Sequence, residues 1–154
     1  MRGNLVILDS LNGLLHDELA AISQYVVQAE ICENWGYSKL HTALFGLARA
    51  EMKHAEQLIA RIVFLGGLPD VATLGPIHLG KKLEEMLAFD LKAETKADDD
   101  YNEAIKKATQ LHDAVTRELL EGIVEEEEQH IDWIEAQQVQ IEQMGLGNYL
   151  ASMK

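Results

Sequence analysis

Four long stretches of this sequence carry an apolar residue at every third or fourth position, the spacing that lines one face of an α-helix. Residues that cap or end helices bound these stretches: Asn4 to Gly36, Ser38 to Gly66, a start near Lys81, and Asp113 to Gly145. Only two of the 154 residues are proline, so little interrupts the helices. The sequence therefore predicts an all-α protein, a four-helix bundle folded as a single domain over residues 1–154.

The connections predict how the helices are joined. The break between Gly36 and Ser38 is short and makes an antiparallel hairpin of the first two helices, and the third and fourth helices form a second hairpin. Extended chain as long as residues 66–80 spans about 46 Å, enough to run down a helix of roughly 44 Å. We therefore expect a crossover along the whole bundle. The last residues predict a short fifth helix opened by Asn148.

Charge and cysteine content argue against several classes of protein. The formal net charge of −13 opposes binding to nucleic acid or to anionic membranes and favours a cationic partner. Cys32 is the single cysteine, so the chain cannot form an internal disulfide or a cysteine-based metal cluster. No apolar run reaches the roughly 18 residues that a membrane span needs. Asp9 interrupts the N-terminal apolar segment too early for a secretion signal, and we expect a cytoplasmic protein.

Polar residues interrupt each apolar stripe on the face that points at the core. They are Glu18 in the first helix, Glu51 and His54 in the second, Glu94 in the third, and Glu127 and His130 in the fourth. A buried carboxylate without a partner is costly, so these positions imply a bound cation. Their distances from the two hairpin turns predict one layer of four carboxylates and two imidazoles.

The two halves of the chain repeat this pattern. A shift of 76 residues relates four pairs: Glu18 and Glu94, Glu51 and Glu127, His54 and His130, and Tyr25 and Tyr101. One glutamate from each of two helices and Glu-x-x-His from each of the other two is the arrangement of di-iron carboxylate bundles. Carboxylates suit Fe(II) and Fe(III), and one imidazole per metal leaves positions open for oxygen or peroxide. Tyr25 has two interpretations, an ordinary core tyrosine or an electron donor to the metals.

The acidic run at residues 125–128 shows how helical geometry selects one glutamate. At 100° per residue, only Glu127 shares the face of Ile123 and His130. The other three are interpreted as a solvated or subunit-contact face: Glu125, Glu126 and Glu128.

Several segments resemble bacterioferritin, the haem-containing branch of the ferritin family, and the resemblance covers essentially the whole chain. The segments are EMKHAE (51–56), RIVFLGGLP (61–69), HIDW (130–133) and MGLGNYL (144–150). The resemblance implies a ferritin-like four-helix bundle with a long crossover and a short fifth C-terminal helix. It also implies a hollow shell of twenty-four identical subunits built from dimers. The implied function is iron storage and detoxification by a ferroxidase, which oxidises Fe(II) with oxygen or hydrogen peroxide and stores ferric mineral.

The resemblance further implies roles for individual residues. The di-iron ligands would be the six residues of the layer, with Glu51 and Glu127 bridging both metals: Glu18, Glu51, His54, Glu94, Glu127 and His130. Met52 corresponds to the methionine whose sulfur, with its twin across a subunit twofold axis, ligates haem b or a related porphyrin. Met52 lies 100° from Glu51 around the helix, off the core face, where it can meet another subunit. A small ferredoxin is the implied reductant.

Two departures from the family pattern concern iron and electron transfer. Gly46 and Ala50 stand where many bacterioferritins carry histidine and aspartate on the inner surface, so an accessory iron site is not expected there. Leu58 replaces a tyrosine that some members carry near the centre.

Three alternative functions have recognisable signatures. A rubrerythrin-like di-iron peroxidase usually carries an additional four-cysteine iron domain, which one cysteine cannot build. A DNA-protecting mini-ferritin binds metal between subunits, whereas both Glu-x-x-His motifs lie in this one acidic chain. A haem-carrying electron-transfer shell would bind haem without rapid iron oxidation.

Overall fold

The computed structural model describes all 154 residues and contains five α-helices and no strand. The helices are α1 (Leu5–Asn34), α2 (Ser38–Phe64), α3 (Leu83–Gln110), α4 (Ala114–Met144) and α5 (Leu146–Ser152). The predicted all-α bundle with a short C-terminal helix is confirmed.

The helix ends follow the capping residues in the sequence. The side-chain oxygen of Asn4 accepts a hydrogen bond from the backbone of Val6 at 2.8 Å, and the Asp113 carboxylate accepts one from the backbone of Thr116 at 3.0 Å. Both bonds satisfy backbone donors that the first turn of a helix leaves free. Gly36, after α1, has a φ of +86°, a left-handed conformation that glycine adopts without steric cost.

The start of the fifth helix differs from the prediction. α5 begins at Leu146, and Asn148 lies inside it. The Nδ2 of Asn148 donates to the carbonyl of Met144 at 2.8 Å, so this side chain bonds back to the preceding turn and does not accept from the helix start. The expectation that Asn148 opens the helix was wrong. Gly145, with a φ of +79°, bends the chain between α4 and α5 and lets the new helix begin at once.

The crossover between α2 and α3 runs along α1, as its length predicted. Its hydrogen bonds progress from the first part of α1 towards its end. The backbone N–H groups of Asp70, Gly75 and His78 donate to Asn12, His16 and Gln24 in turn. Nε2 of Gln28 then donates to the carbonyl of Leu79. Because α2 is antiparallel to α1, the crossover returns the chain to the end of α1 at which α2 began. Helices α2 and α3 are therefore parallel, which is the ferritin-like connection.

Two hydrophobic clusters fill the bundle, one on each side of a polar layer. The first contains 13 buried residues, among them Leu58 and Ile123. The second contains 11, among them Leu44 and Ile134. Along α4, Ile123 belongs to the first cluster and Ile134 to the second, and Glu127 lies between them. The polar layer is thus enclosed by apolar side chains at both ends.

Candidate metal centre

The six polar residues predicted to share one layer lie together in the middle of the bundle. All four long helices contribute to it. Each residue is buried, with a relative exposure between 0% and 7%: Glu18, Glu51, His54, Glu94, Glu127 and His130. Four carboxylates in one dry layer repel one another unless cations or protons neutralise them. The layer is therefore a candidate cation site.

The possible ligand atoms form two overlapping groups. Within each group, four atoms lie within 4.8 Å of one another. The groups are Glu18, Glu51, His54 and Glu127, and Glu51, Glu94, Glu127 and His130. Glu51 and Glu127 belong to both groups, and the two oxygens of each carboxylate can face two neighbouring ions. The arrangement fits a pair of metal ions that share two carboxylates, with one imidazole for each ion.

Both histidines direct Nδ1 towards the shared carboxylates. The Nδ1 atom of His54 is 2.9 Å from Oε2 of Glu51 and 3.1 Å from Oε1 of Glu127. The Nδ1 atom of His130 is 3.0 Å from Oε1 of Glu51 and 3.3 Å from Oε2 of Glu127. Each histidine therefore approaches a different oxygen of each shared carboxylate, and Nδ1 is the atom with which it would hold a metal.

Burial and close charges shift the pKa values in this layer strongly. Burial, together with the charges of neighbouring glutamates, raises the pKa of Glu51, and burial raises the pKa of Glu127 to about 8. Burial alone would lower the pKa of His130, but the surrounding carboxylates raise it to about 12. His54 shows the same balance between burial and carboxylates, and its pKa is also raised. Protons thus neutralise the metal-free layer, and a metal ion must displace them to bind.

Two buried tyrosines donate hydrogen bonds to Glu18 and Glu94, the two glutamates that are not shared between the groups. The hydroxyl of Tyr25 donates a hydrogen bond to Oε1 of Glu94, and the hydroxyl of Tyr101 donates one to Oε1 of Glu18. The two pairs are related by the 76-residue shift found in the sequence. The internal repeat therefore extends beyond the candidate ligands to the side chains that hold them.

The sequence analysis did not identify Glu126 as a residue of the centre. Its side chain is 37% exposed, yet its Oε2 lies 3.1 Å from Nε2 of the fully buried His54. Its Oε1 accepts a hydrogen bond from Nζ of Lys53 at 2.9 Å. Helical periodicity placed Glu126 off the core face. Only the packing of α4 against α2 brings it to the outer edge of the histidine ring.

A second buried polar cluster, which the sequence analysis also missed, lies beside the metal centre. Asp90 is fully buried, and its Oδ1 accepts a hydrogen bond from Nε2 of Gln24 at 2.7 Å. Its Oδ2 has no partner, and neither has Oε1 of the fully buried Gln28. Burial raises the pKa of Asp90 to about 7. Asp90 lies four residues before Glu94 on α3 and so shares the face of the helix that points at the centre. This spacing could have indicated the cluster from the sequence.

A cavity of about 270 Å³ lies between α1, α3 and the crossover and reaches the centre. Carboxylates of the centre line its inner part, among them Glu18 and Glu94. Its lining also includes charged or polar residues from α3 and the crossover, among them His78, Lys92 and Lys96. The cavity gives the buried layer a connection towards the surface on the side of the crossover.

Comparison with known proteins identifies the fold and its relatives. The sequence profile of the Ferritin-like domain matches residues 8–144. The chain belongs to the ferritin family. Among its relatives, the "Bacterial ferritin" of Synechocystis sp. is 39% identical over 153 residues, which cover 99% of this chain and 98% of that protein.

Two further relatives agree with this assignment. The "Bacterial ferritin" of Pseudomonas aeruginosa is 39% identical, over 99% of both chains. The "Bacterioferritin" of Brucella melitensis is 35% identical, over 89% of this chain and 85% of that protein. The resemblance to bacterioferritin inferred from the sequence motifs is therefore confirmed.

Within this ferritin fold, Met52 has the placement that the sequence predicted. It is 58% exposed, whereas the preceding Glu51 is 1% exposed and points into the centre. Its thioether is thus available on the outside of the subunit.

No helix of the structure has the length and hydropathy needed to cross a membrane.

Proposed function

We propose that this ferritin-family protein stores and detoxifies iron, oxidising Fe(II) to Fe(III) with oxygen or hydrogen peroxide and retaining the ferric mineral. The observation that carries the proposal is the pair of buried four-atom groups that share Glu51 and Glu127. The names of the relatives, bacterial ferritin and bacterioferritin, support it. The proposed iron ligands are Glu18, Glu51, His54, Glu94, Glu127 and His130.

Two Fe(II) ions are the substrate of this ferroxidase, one in each group. Nδ1 of His54 and Nδ1 of His130 lose their protons as the ions bind, and the carboxylates then neutralise the metal charge. Each ion gives up one electron, so the pair delivers two electrons together. Two Fe(II), oxygen and two protons give two Fe(III) and hydrogen peroxide; two Fe(II), hydrogen peroxide and two protons give two Fe(III) and two water molecules. The paired transfer avoids the release of superoxide.

A stopped-flow titration of metal-free protein with Fe(II) tests this proposal. Absorbance of ferric iron is followed after mixing with oxygen and, separately, with hydrogen peroxide, and a break is expected at two irons per chain. Glu127→Ala should abolish the fast phase because it removes a carboxylate common to both groups. Glu125→Ala removes the same charge from an exposed position of α4 and should retain the fast phase. Absence of a saturable fast phase in the wild type would overturn the ferroxidase and favour a haem-carrying electron-transfer shell.

Haem binding at Met52 is the second part of the proposal. The exposed thioether on α2 fits a ligand that meets its twin from a second subunit. The two thioethers would hold haem b or a related porphyrin between the subunits, and the bound haem would supply electrons for mineral reduction. Met52→Leu should remove the haem absorption while fast iron oxidation persists. Loss of both would contradict this division between haem and the metal layer.

The proposed assembly is a shell of twenty-four copies built from dimers, located in the cytoplasm, with a small ferredoxin as reductant. Each chain has a mass of 17.2 kDa, so light scattering on the purified protein distinguishes a shell from smaller assemblies. A mass far below twenty-four chains would contradict storage inside a shell of this size.

A further inference from the structure

The two histidines of the centre differ in the contact made by Nε2, the ring nitrogen that points away from the centre. On one side of the His54 ring, Nδ1 is 2.9 Å from Oε2 of Glu51, inside the centre. On the other side, Nε2 is 3.1 Å from Oε2 of Glu126. A carboxylate behind Nε2 keeps the proton on that nitrogen and leaves the lone pair of Nδ1 for a metal. Glu126 is therefore placed to fix both the tautomer and the orientation of the His54 ring.

Glu126 is itself held in place from α2. Nζ of Lys53 lies 2.9 Å from its Oε1, so each carboxylate oxygen has one partner. The chain of contacts from Lys53 through Glu126 to His54 thus connects the surface of the bundle to a candidate ligand.

The other half of the bundle has no such contact. The 76-residue shift that maps His54 onto His130 maps Glu126 onto Ala50, and a methyl group cannot accept a hydrogen bond. The side chain of His130 is 9% exposed, whereas that of His54 is fully buried. The 76-residue shift relates the candidate ligands to one another. It does not relate the residues that contact the two imidazoles from outside the centre, because Ala50 stands at the position equivalent to Glu126.

We infer that Glu126 is a positioning residue for the metal ion held by His54, and that its missing counterpart at Ala50 makes the two metal positions unequal. The inference rests on the proposed di-iron function. The position built from Glu18 and His54 binds its ion first and holds it more tightly. The position built from Glu94 and His130 binds second and releases its ion first. Partners of this kind behind a metal-bound histidine change metal affinity by about 10- to 100-fold.

Titration of the full, metal-free chain with Co²⁺ tests the inference without iron oxidation. Visible absorption and calorimetry give the two stepwise affinities. Diffraction at the cobalt absorption edge, from crystals holding one Co²⁺ per chain, identifies which position fills. In the wild type the His54 position should fill first. Glu126→Ala should weaken that position by about tenfold or more and leave the other nearly unchanged.

Three further variants separate positioning from a general loss of charge or structure. Glu126→Gln keeps an oxygen that accepts from Nε2 and should retain most of the affinity. Glu125→Ala removes the neighbouring charge, which contacts no histidine, and should leave both affinities as in the wild type. Ala50→Glu supplies the missing partner and should strengthen the His130 position, bringing the two affinities closer together. This last variant adds a side chain and does not depend on Glu126→Ala folding normally.

The outcomes distinguish this inference from the proposed function. If wild type and Glu126→Ala both bind two Co²⁺ with the same pair of affinities, the positioning role is overturned while the di-iron function stands. The same conclusion follows if crystals of the wild type fill the His130 position first. If the wild type binds fewer than two Co²⁺ per chain, the di-iron function itself is overturned.

Discussion

The hydroxyl of Tyr101 on α3 donates a hydrogen bond to Glu18 on α1, and both side chains are buried from water, at 1% and 3% exposure. Tyr101→Phe removes the donor and leaves a buried carboxylate oxygen without its partner. We expect the free energy of unfolding of the metal-free protein to fall by about 1–3 kcal/mol. Urea unfolding followed by circular dichroism measures the change.

Two other tyrosines provide the comparison for this prediction. Tyr25→Phe removes the equivalent bond to Glu94 and should cost a similar amount. Tyr37→Phe changes a half-buried tyrosine outside the centre and should cost little. If Tyr101→Phe were no more destabilising than Tyr37→Phe, the bond to Glu18 would not contribute to stability.

Asp90 should make stability depend on pH in the direction opposite to that of an ordinary ion-paired aspartate. Burial raises its pKa from 3.8 to about 7, so between these values the native state holds a proton that the unfolded chain has released. Stability therefore falls as pH rises from about 4 to about 7 and remains lower above that range. Asp90→Asn removes this titration and leaves an uncharged side chain of nearly the same size in the buried position.

Asp90→Asn should consequently come closest to the wild type at about pH 4 and exceed it at pH 8 by about 1–3 kcal/mol of unfolding free energy. The measurement is urea unfolding of metal-free protein at a series of pH values. Asp99→Asn, an exposed aspartate on the same helix, controls for the loss of a carboxylate. A difference between Asp90→Asn and wild type that stays constant with pH would show that Asp90 does not titrate in this range.

Most of the fold follows from local patterns in the sequence. Apolar spacing and caps such as Asn4 and Asp113 predicted the long helices, because these signals involve residues close together in the chain. The length of residues 66–80 predicted the crossover, since extended chain of that length can span a whole helix of the bundle. Glu18 could be placed opposite Glu51 because each residue of a helix advances a fixed distance along its axis. The number of residues from the hairpin turn therefore gives the position of each glutamate along the bundle.

What the sequence analysis missed depends on contacts between helices. Glu126 reaches His54 only because α4 packs against α2, and its own helical phase places it off the core face. Asp90 shares the face of Glu94, but its neighbours Gln24 and Gln28 come from α1, so their association is a tertiary contact. Intrinsic periodicity carries no information about which residue of another helix fills a particular gap.

Metal binding should release protons and strengthen as pH rises. Carboxylates outweigh burial and raise the pKa of His130 to about 12, and burial raises that of Glu127 to about 8, so both hold protons near neutral pH without metal. A metal ion at Nδ1 must displace these protons. We expect at least one proton to be released for each Co²⁺ bound. Calorimetry in two buffers of different ionisation enthalpy counts them, and a heat independent of the buffer would contradict the prediction.

Asp113 joins the end of α2 to the start of α4. Its carboxylate accepts from Arg61 Nη2 at 2.9 Å and caps α4 through the backbone of Thr116 at 3.0 Å. Burial opposes ionisation, but the bonds from Thr116 and Arg61 lower the pKa of Asp113 below its ordinary value. Asp113→Ala loses cap and ion pair together, and the free energy of unfolding should fall by about 2–4 kcal/mol.

Asp113→Asn separates the two contributions, because asparagine is a good N-cap but carries no charge. It should cost about 1 kcal/mol at pH 7, the share of the charged contact with Arg61. A depressed pKa contributes stability above the unfolded value of about 4, and this contribution is lost as pH falls through the lower native value. The gap between wild type and Asp113→Asn should therefore close below pH 4 in urea unfolding curves. A gap that persists undiminished at pH 3 would mean that the carboxylate charge does not stabilise this junction.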